Sequence, residues 1–261
     1  MLVLLDALNS LNTQILYNFI VVLSLSSALF AFLLRGKANS IERVFVYYVF
    51  AVGLFELIAW LGPRFFQQSN NLPGLHLYTM VQFILMALFF NACFKEFSSR
   101  IKLNGVIILG VSGILLNSLF IQSIYTYNSY SKTLVELFVI ICSLMLLVLF
   151  IKDKEHNQEQ MKPSVSFVSA VFLQSSVSII IYMYSNEIMH MKESFQNSIW
   201  HLKMLVNYLS LFMILLGLLQ ILFRNKKVVK SKLISNRNSD GTVKRMFKKP
   251  SESYLGKRVH I

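Results

Sequence analysis

Apolar residues in this chain neither alternate nor form narrow stripes. They come in long blocks, at residues 15–34, 44–61, 75–94, 106–124, 133–151, 165–184 and 199–223. Each is close to the roughly 20 residues that a helix needs to cross the hydrocarbon of a bilayer. Strand-period patterning is absent, and a spanning segment without it satisfies its own peptide groups only as a helix. The pattern therefore predicts an all-α fold, one bundle of seven transmembrane helices over residues 1–223. A basic tail without fixed structure is expected over 224–261. Pro63 and Pro73 bracket the second connection, and Pro163 is expected just ahead of the sixth span, where a missing N–H costs little.

Composition agrees. Of the 261 residues 55% are hydrophobic and 14% charged, too few polar groups to cover a soluble domain of this length. The net charge of +13 invites a nucleic-acid reading, but the cations flank the apolar blocks, so no nucleic-acid partner is expected. Twenty-one of the 25 Lys and Arg fall in the connections after spans one, three and five and in the tail; Arg64, Lys132 and Lys192 fall in the alternate connections, and Lys203 lies inside span seven. By the positive-inside rule the N-terminus is expected outside and the tail in the cytoplasm. No Lys or Arg precedes the first apolar stretch, so that span is expected to remain in the mature protein. Trp60 and Trp200, with Tyr125, Tyr127, Tyr130, Tyr182 and Tyr184, fall at the expected outer ends and read as an interfacial aromatic belt. Cys93 and Cys142 lie within apolar blocks and read as small core residues.

Polar side chains inside the spans carry the functional signal, because burying them in lipid is costly. Span two has Glu56 one turn before Trp60. Span three has His76, Thr79 and Gln82 at helical spacing, and span five opens with Lys132 and Glu136 at i, i+4. Span six carries Gln174, Ser178, Tyr182 and Ser185 on one stripe; span seven carries Trp200, Lys203 and Asn207. With the expected orientation these groups converge on the outer half of the bilayer. They suggest a polar pocket open to the extracytoplasmic side, formed by Glu56, Trp60, His76, Glu136, Trp200 and Lys203 and floored by Gln82, Gln174 and Asn207. The alternative for each residue is structural: Lys203 pairing with Glu56 or Glu136 to hold the bundle, or reaching to the outer headgroups.

Catalytic and cofactor chemistry is poorly supported, and no metal, cofactor or enzymatic activity is expected. Lys203 sits in the last span, as a retinal Schiff base would require, but no span contains an aspartate. His76, His190 and His201 lack the paired spacing of a zinc site. No GxSxG elbow or phosphate-binding glycine loop occurs. In the tail, Lys226, Lys227, Lys230, Lys232, Lys244, Arg245, Lys248 and Lys249 are expected to draw the segment to anionic lipid at the membrane surface.

LHLYTMVQFILMALFF at the third span, YNSYSKTLVELFVIICSL at the fifth, PSVSFVSAVFLQSSVSIIIYMYS at the sixth and IWHLKMLVNYLSL at the seventh resemble a group of bacterial seven-helix inner-membrane proteins without a settled activity. The resemblance covers most of residues 75–215. It implies a seven-helix fold in a bacterial cytoplasmic membrane, similar in shape to membrane-embedded sensor modules but without their output domain. The group often has Glu at the position of Gln82 and Arg at that of Lys132, so it implies no charged role here. The expectation is a receptor-like sensory protein that binds a small polar ligand and signals through a separate cytoplasmic protein. A small-solute or proton-coupled transporter is the alternative, and a membrane-embedded hydrolase the third.

Overall fold

The structure is a computed structural model. It describes the backbone of residues 2–65, 72–97, 101–152 and 158–246 and, within these, the side chains of 15–62, 72–97, 101–152, 162–185, 187–188, 190–192 and 195–224. The membrane-surface candidates Lys248 and Lys249, and the side chains of Lys226, Lys227, Lys230, Lys232, Lys244 and Arg245, lie outside the described residues. The chain divides into two units, Met1–Leu222 and Phe223–Ile261; all of the packing below belongs to the first.

The described residues are helical: α1 (Leu2–Leu34), α2 (Ser40–Phe65), α3 (Leu72–Phe97), α4 (Asn104–Leu116) with a π turn at Asn117–Ile121, α5 (Ser129–Lys152), α6 (Gln158–Met183), a short α7 (Ser185–Met189) and α8 (Glu193–Met246). Seven segments are long and apolar enough to cross a membrane: Ile15–Leu34, Ser40–Gly62, Leu72–Phe97, Asn104–Ile121, Ser129–Lys152, Lys162–Met183 and Phe195–Arg224. They coincide with the seven apolar blocks, extended by a few residues at most ends. Local chemistry sets several limits. A reciprocal capping box opens α2: the Asn39 side chain accepts from Glu42 N at 2.8 Å, and Glu42 accepts from Asn39 N at 2.9 Å. The π turn closes α4 with Gln122 N bonded to the Asn117 carbonyl at 2.8 Å. Since α6 begins at Gln158, Pro163 lies inside the helix rather than ahead of it.

The distribution of side chains inverts that of a soluble domain. Leu109, Phe120 and Ile151 are more than 70% exposed, while Lys132 and Glu136 are each 3% exposed. Apolar surface turned outward and charge turned inward is what lipid as solvent demands. This is an integral membrane protein with a seven-helix bundle.

Within the bundle the interior has two parts. Toward the start of α2 and α6, the end of α3 and the middle of α8 it is dry and aromatic. Phe45 stacks on Phe167 with ring centroids 4.1 Å apart and meets Phe89 at 5.0 Å, and Phe90, Phe94, Leu218 and Ile221 are fully buried beside them. Gly217 lets α8 approach closely here, since a Cβ at that position would run into the Phe167 ring. Cys93 and Cys142 are buried thiols of the same apolar cluster. Toward the other end the interior turns polar.

Candidate functional site

The polar end contains two adjoining arrangements. The first is an ion pair one turn inside α5. Lys132 Nζ lies 3.0 Å from Glu136 Oε1, with both side chains 4% exposed, and also donates to Gln82 Oε1 of α3. Ser175 Oγ of α6 donates to Glu136 Oε2 at 2.5 Å. The rings of Tyr78 and Tyr182 lie 4.9 and 5.4 Å from the ammonium. Both carboxylate oxygens and the ammonium thus have protein partners, which is what makes so deeply buried a pair tolerable.

The second arrangement is a cavity of about 40 Å³ between α1, α2, α6 and α8. It has room for about three water-sized groups. Ser24, Tyr48, Glu56, Gln174, Asn207 and Ser210 supply its polar wall, and Val49, Val52, Leu211 and Ile214 part of the apolar one. Ser210 Oγ donates to the Ala170 carbonyl at 3.0 Å and, at 3.5 Å, to Gln174 Oε1. Among the described residues, no hydrogen bond is made by Ser24 Oγ, Tyr48 Oη, the Glu56 carboxylate or the Asn207 amide, and Gln174 Nε2 donates to no protein atom. The cavity wall therefore carries hydrogen-bonding capacity that the protein itself does not use.

Lys203 is held apart from both glutamates. Its Nζ bonds to Tyr182 Oη at 3.2 Å and lies 4.8 Å from the Tyr182 ring and 5.0 Å from that of Trp200. It acts on Glu56 through space, as does Lys132, with no ion pair between Lys203 and Glu56 among the described residues. Two aromatic faces and a phenol oxygen so take up the ammonium charge. Tyr127, in the turn before α5, has its ring 5.9 Å from that of Tyr182; burial pushes its phenol pKa up, which keeps it a neutral donor.

The nine sequence candidates therefore separate. Glu56, Gln174 and Asn207 meet at the cavity. Gln82 and Glu136 meet at the ion pair. Lys203 meets the rings of both Tyr182 and Trp200. His76 goes elsewhere: its Nδ1 is 2.9 Å from Ser118 Oγ and its Nε2 3.2 Å from the Thr126 carbonyl. A carbonyl only accepts, so Nε2 carries a proton, and in the neutral ring Ser118 donates to Nδ1. The histidine ties α3 to the turn between α4 and α5, where Asn117 Nδ2 also reaches Ser131 Oγ at 2.8 Å. Trp60 Nε1 donates to Asn18 Oδ1 at 3.1 Å and ties α2 to α1.

The sequence pattern shows Lys132 at i, i+4 with Glu136, but the expected pocket includes only Glu136, and Lys132 counts with the cations of the connections. The same pattern places Tyr182 in the aromatic belt, whereas Tyr182 is 7% exposed and Tyr125, Tyr130 and Tyr184 are exposed. Membership of the stripe Gln174–Ser178–Tyr182 was the available signal. Ser24 and Tyr48 lie within the first and second apolar blocks; nothing in the local pattern marks either as polar lining. No group of three or more His, Cys, Asp and Glu able to hold a metal occurs among the described residues.

Comparison of the chain with protein-family models, with curated proteins and with solved structures finds no match. What fold and site define is the class: a multi-pass, seven-helix membrane protein with a polar cavity next to a buried ion pair. The bacterial resemblance noted above therefore stays at the level of the seven-helix architecture.

Proposed function

We propose that this chain is a receptor-like sensory membrane protein that takes a small polar ligand into the cavity beside Glu56 and answers by repacking α1, α2, α6 and α8. The observation that carries the reading is the unused hydrogen-bonding capacity of Ser24, Tyr48, Glu56, Gln174 and Asn207 around one cavity. The neighbouring Lys132–Glu136 pair, by contrast, satisfies its own groups. Occupancy would change the contacts of four helices at once, which is the differential interaction a conformational signal requires. In this reading the protein lies in a bacterial cytoplasmic membrane with the cavity end outward. Its basic tail faces anionic lipid and a separate cytoplasmic signalling protein.

A transporter is the second reading, favoured by one feature: Glu56 has no ion pair among the described residues and is placed like a proton-coupling carboxylate. The Phe45–Phe167 stack and the fully buried Phe89, Phe90 and Phe94 favour the receptor, because they fill the interior beyond the cavity with aromatic rings rather than a polar path.

A thermal-shift screen of small polar compounds on purified protein in nanodiscs tests the reading. A compound that raises Tm in wild type but not in Asn207→Ala supports ligand binding at the cavity. A panel in which every compound leaves both proteins unchanged rejects it. Flux of the same compound into proteoliposomes would transfer the site to the transporter reading.

A further inference from the structure

Resting on the ligand-binding reading, we infer that the cavity beside Glu56 is a site for a small monovalent cation, an alkali-metal ion or an ammonium group. Three observations lead there.

Glu56 is a carboxylate within a spanning helix, half-buried at the cavity wall, without a hydrogen bond or ion pair among the described residues. An ionised carboxylate so placed is costly unless a positive partner meets it. The two nearby lysines are committed elsewhere: Lys132 to Glu136 and Gln82, and Lys203 to Tyr182 Oη and two aromatic faces.

Around Glu56 the wall is built from Asn207, Gln174, Ser24, Ser210 and Tyr48; Ser210 Oγ donates to the Ala170 carbonyl and, at 3.5 Å, to Gln174 Oε1, and the lone pairs left on these oxygens and on Asn207, Ser24 and Tyr48 are the neutral donors. Ser24, Tyr48 and Ser210 are at most 4% exposed, and all three line this space. A carboxylate backed by neutral oxygens is a hard donor set, which suits alkali ions and also accepts the N–H groups of an ammonium. Soft or borderline metals would require the Cys or His that this wall lacks.

Size and charge narrow the guest. About 40 Å³ admits a bare or singly hydrated ion and rejects most metabolites. The charges of Glu56, Lys132, Glu136 and Lys203 sum to zero, so a guest adds its whole charge to a low-dielectric region. One unit is tolerable next to Glu56; two are strongly opposed by the lysines.

The test is a Tm titration of nanodisc-embedded protein with lithium, sodium, potassium and ammonium chlorides. N-methylglucamine chloride holds ionic strength constant, since that cation is too bulky for the cavity. Glu56→Gln, Asn207→Ala and Ser24→Ala are measured alongside. The expected result is a saturable rise, roughly 5 °C or more at a hundredfold excess over Kd, for at least one cation. That rise should be absent in Glu56→Gln, and its midpoint about fivefold higher in Asn207→Ala and Ser24→Ala, as the loss of one ligand oxygen predicts. The ion that gives it separates alkali from ammonium chemistry. A rise of the same size in Glu56→Gln overturns the site, as does the lack of any saturable rise in wild type. Should Glu56→Gln fail to fold, an unchanged midpoint in both other variants overturns it equally. If neutral polar compounds stabilise the protein while none of the four cations does, the cation site fails and the ligand-binding reading stands; if neither class acts, both fail.

Discussion

Glu136 and Glu56 are both glutamates inside spanning helices, at the same end of the bundle, and they live under opposite conditions. Glu136 is 3% exposed, and each of its oxygens has a partner, Lys132 on one side and Ser175 on the other. Glu56 lines a cavity and is met by no donor among the described residues. One carboxylate closes a network across α3, α5 and α6; the other leaves its charge turned to a space between α1, α2, α6 and α8. A closed network holds helices together, and an open one can bind. The contrast makes Glu136 a structural residue and Glu56 a ligand candidate, and along the chain only Lys132, four residues before Glu136, hints at it.

Mutations break this contrast in a definite order. The largest effect is expected from opening the closed side. Glu136→Ala strands a buried ammonium and should cost about 3–5 kcal/mol of stability, seen as a large fall in Tm in mild detergent. The double change Lys132→Met with Glu136→Leu should recover most of it, since both charges leave together. Next is the dry aromatic end, where Gly217→Val forces a branched side chain against Phe167. Overpacking there should cost about 1–3 kcal/mol and leave ligand affinity at the cavity unchanged. His76→Ala removes the link from α3 to Ser118 and Thr126; about 1 kcal/mol is expected, again with ligand affinity intact, because His76 does not line the cavity. The smallest stability change, about 0.5 kcal/mol or less, is expected from Glu56→Gln, which breaks no bond to the protein. That variant should instead lose ligand response. A Glu56→Gln protein that melts as far below wild type as Glu136→Ala would abolish the distinction between the two glutamates.

Much of the architecture was legible before the fold. Apolar blocks of about 20 residues place the seven spans to within a few residues, because the thickness of the hydrocarbon fixes their length. The convergence of Glu56, Gln82, Glu136, Gln174, Lys203 and Asn207 on one end was legible from their depth in each span. What depth does not convey is the partner. Lys203, with two glutamates in reach of its helix end, pairs with neither, because Tyr182 and Trp200 offer it rings and a phenol. His76 shares the depth of the others but turns toward Ser118 and Thr126, since the π turn after α4 brings that connection to its side of α3. Tyr48 and Ser24 sit in ordinary apolar stretches and gain a role only because α1 and α2 face the same cavity as α6 and α8.

By itself, then, the chain of residues determined the medium, the number of spans and the end of the bundle at which polarity gathers. All three follow from one-dimensional quantities, the length, hydropathy and phase of each segment. Only the tertiary structure decided which of the buried charges are satisfied and which are not. That depends on the rotation of each helix about its axis and on which helices are neighbours, and both are set by packing such as Phe45 on Phe167 and α8 on Phe167 at Gly217. A rotation of some 100° between successive residues is enough to carry a glutamate from a closed ion pair to an open cavity, and no periodicity within a single segment records it.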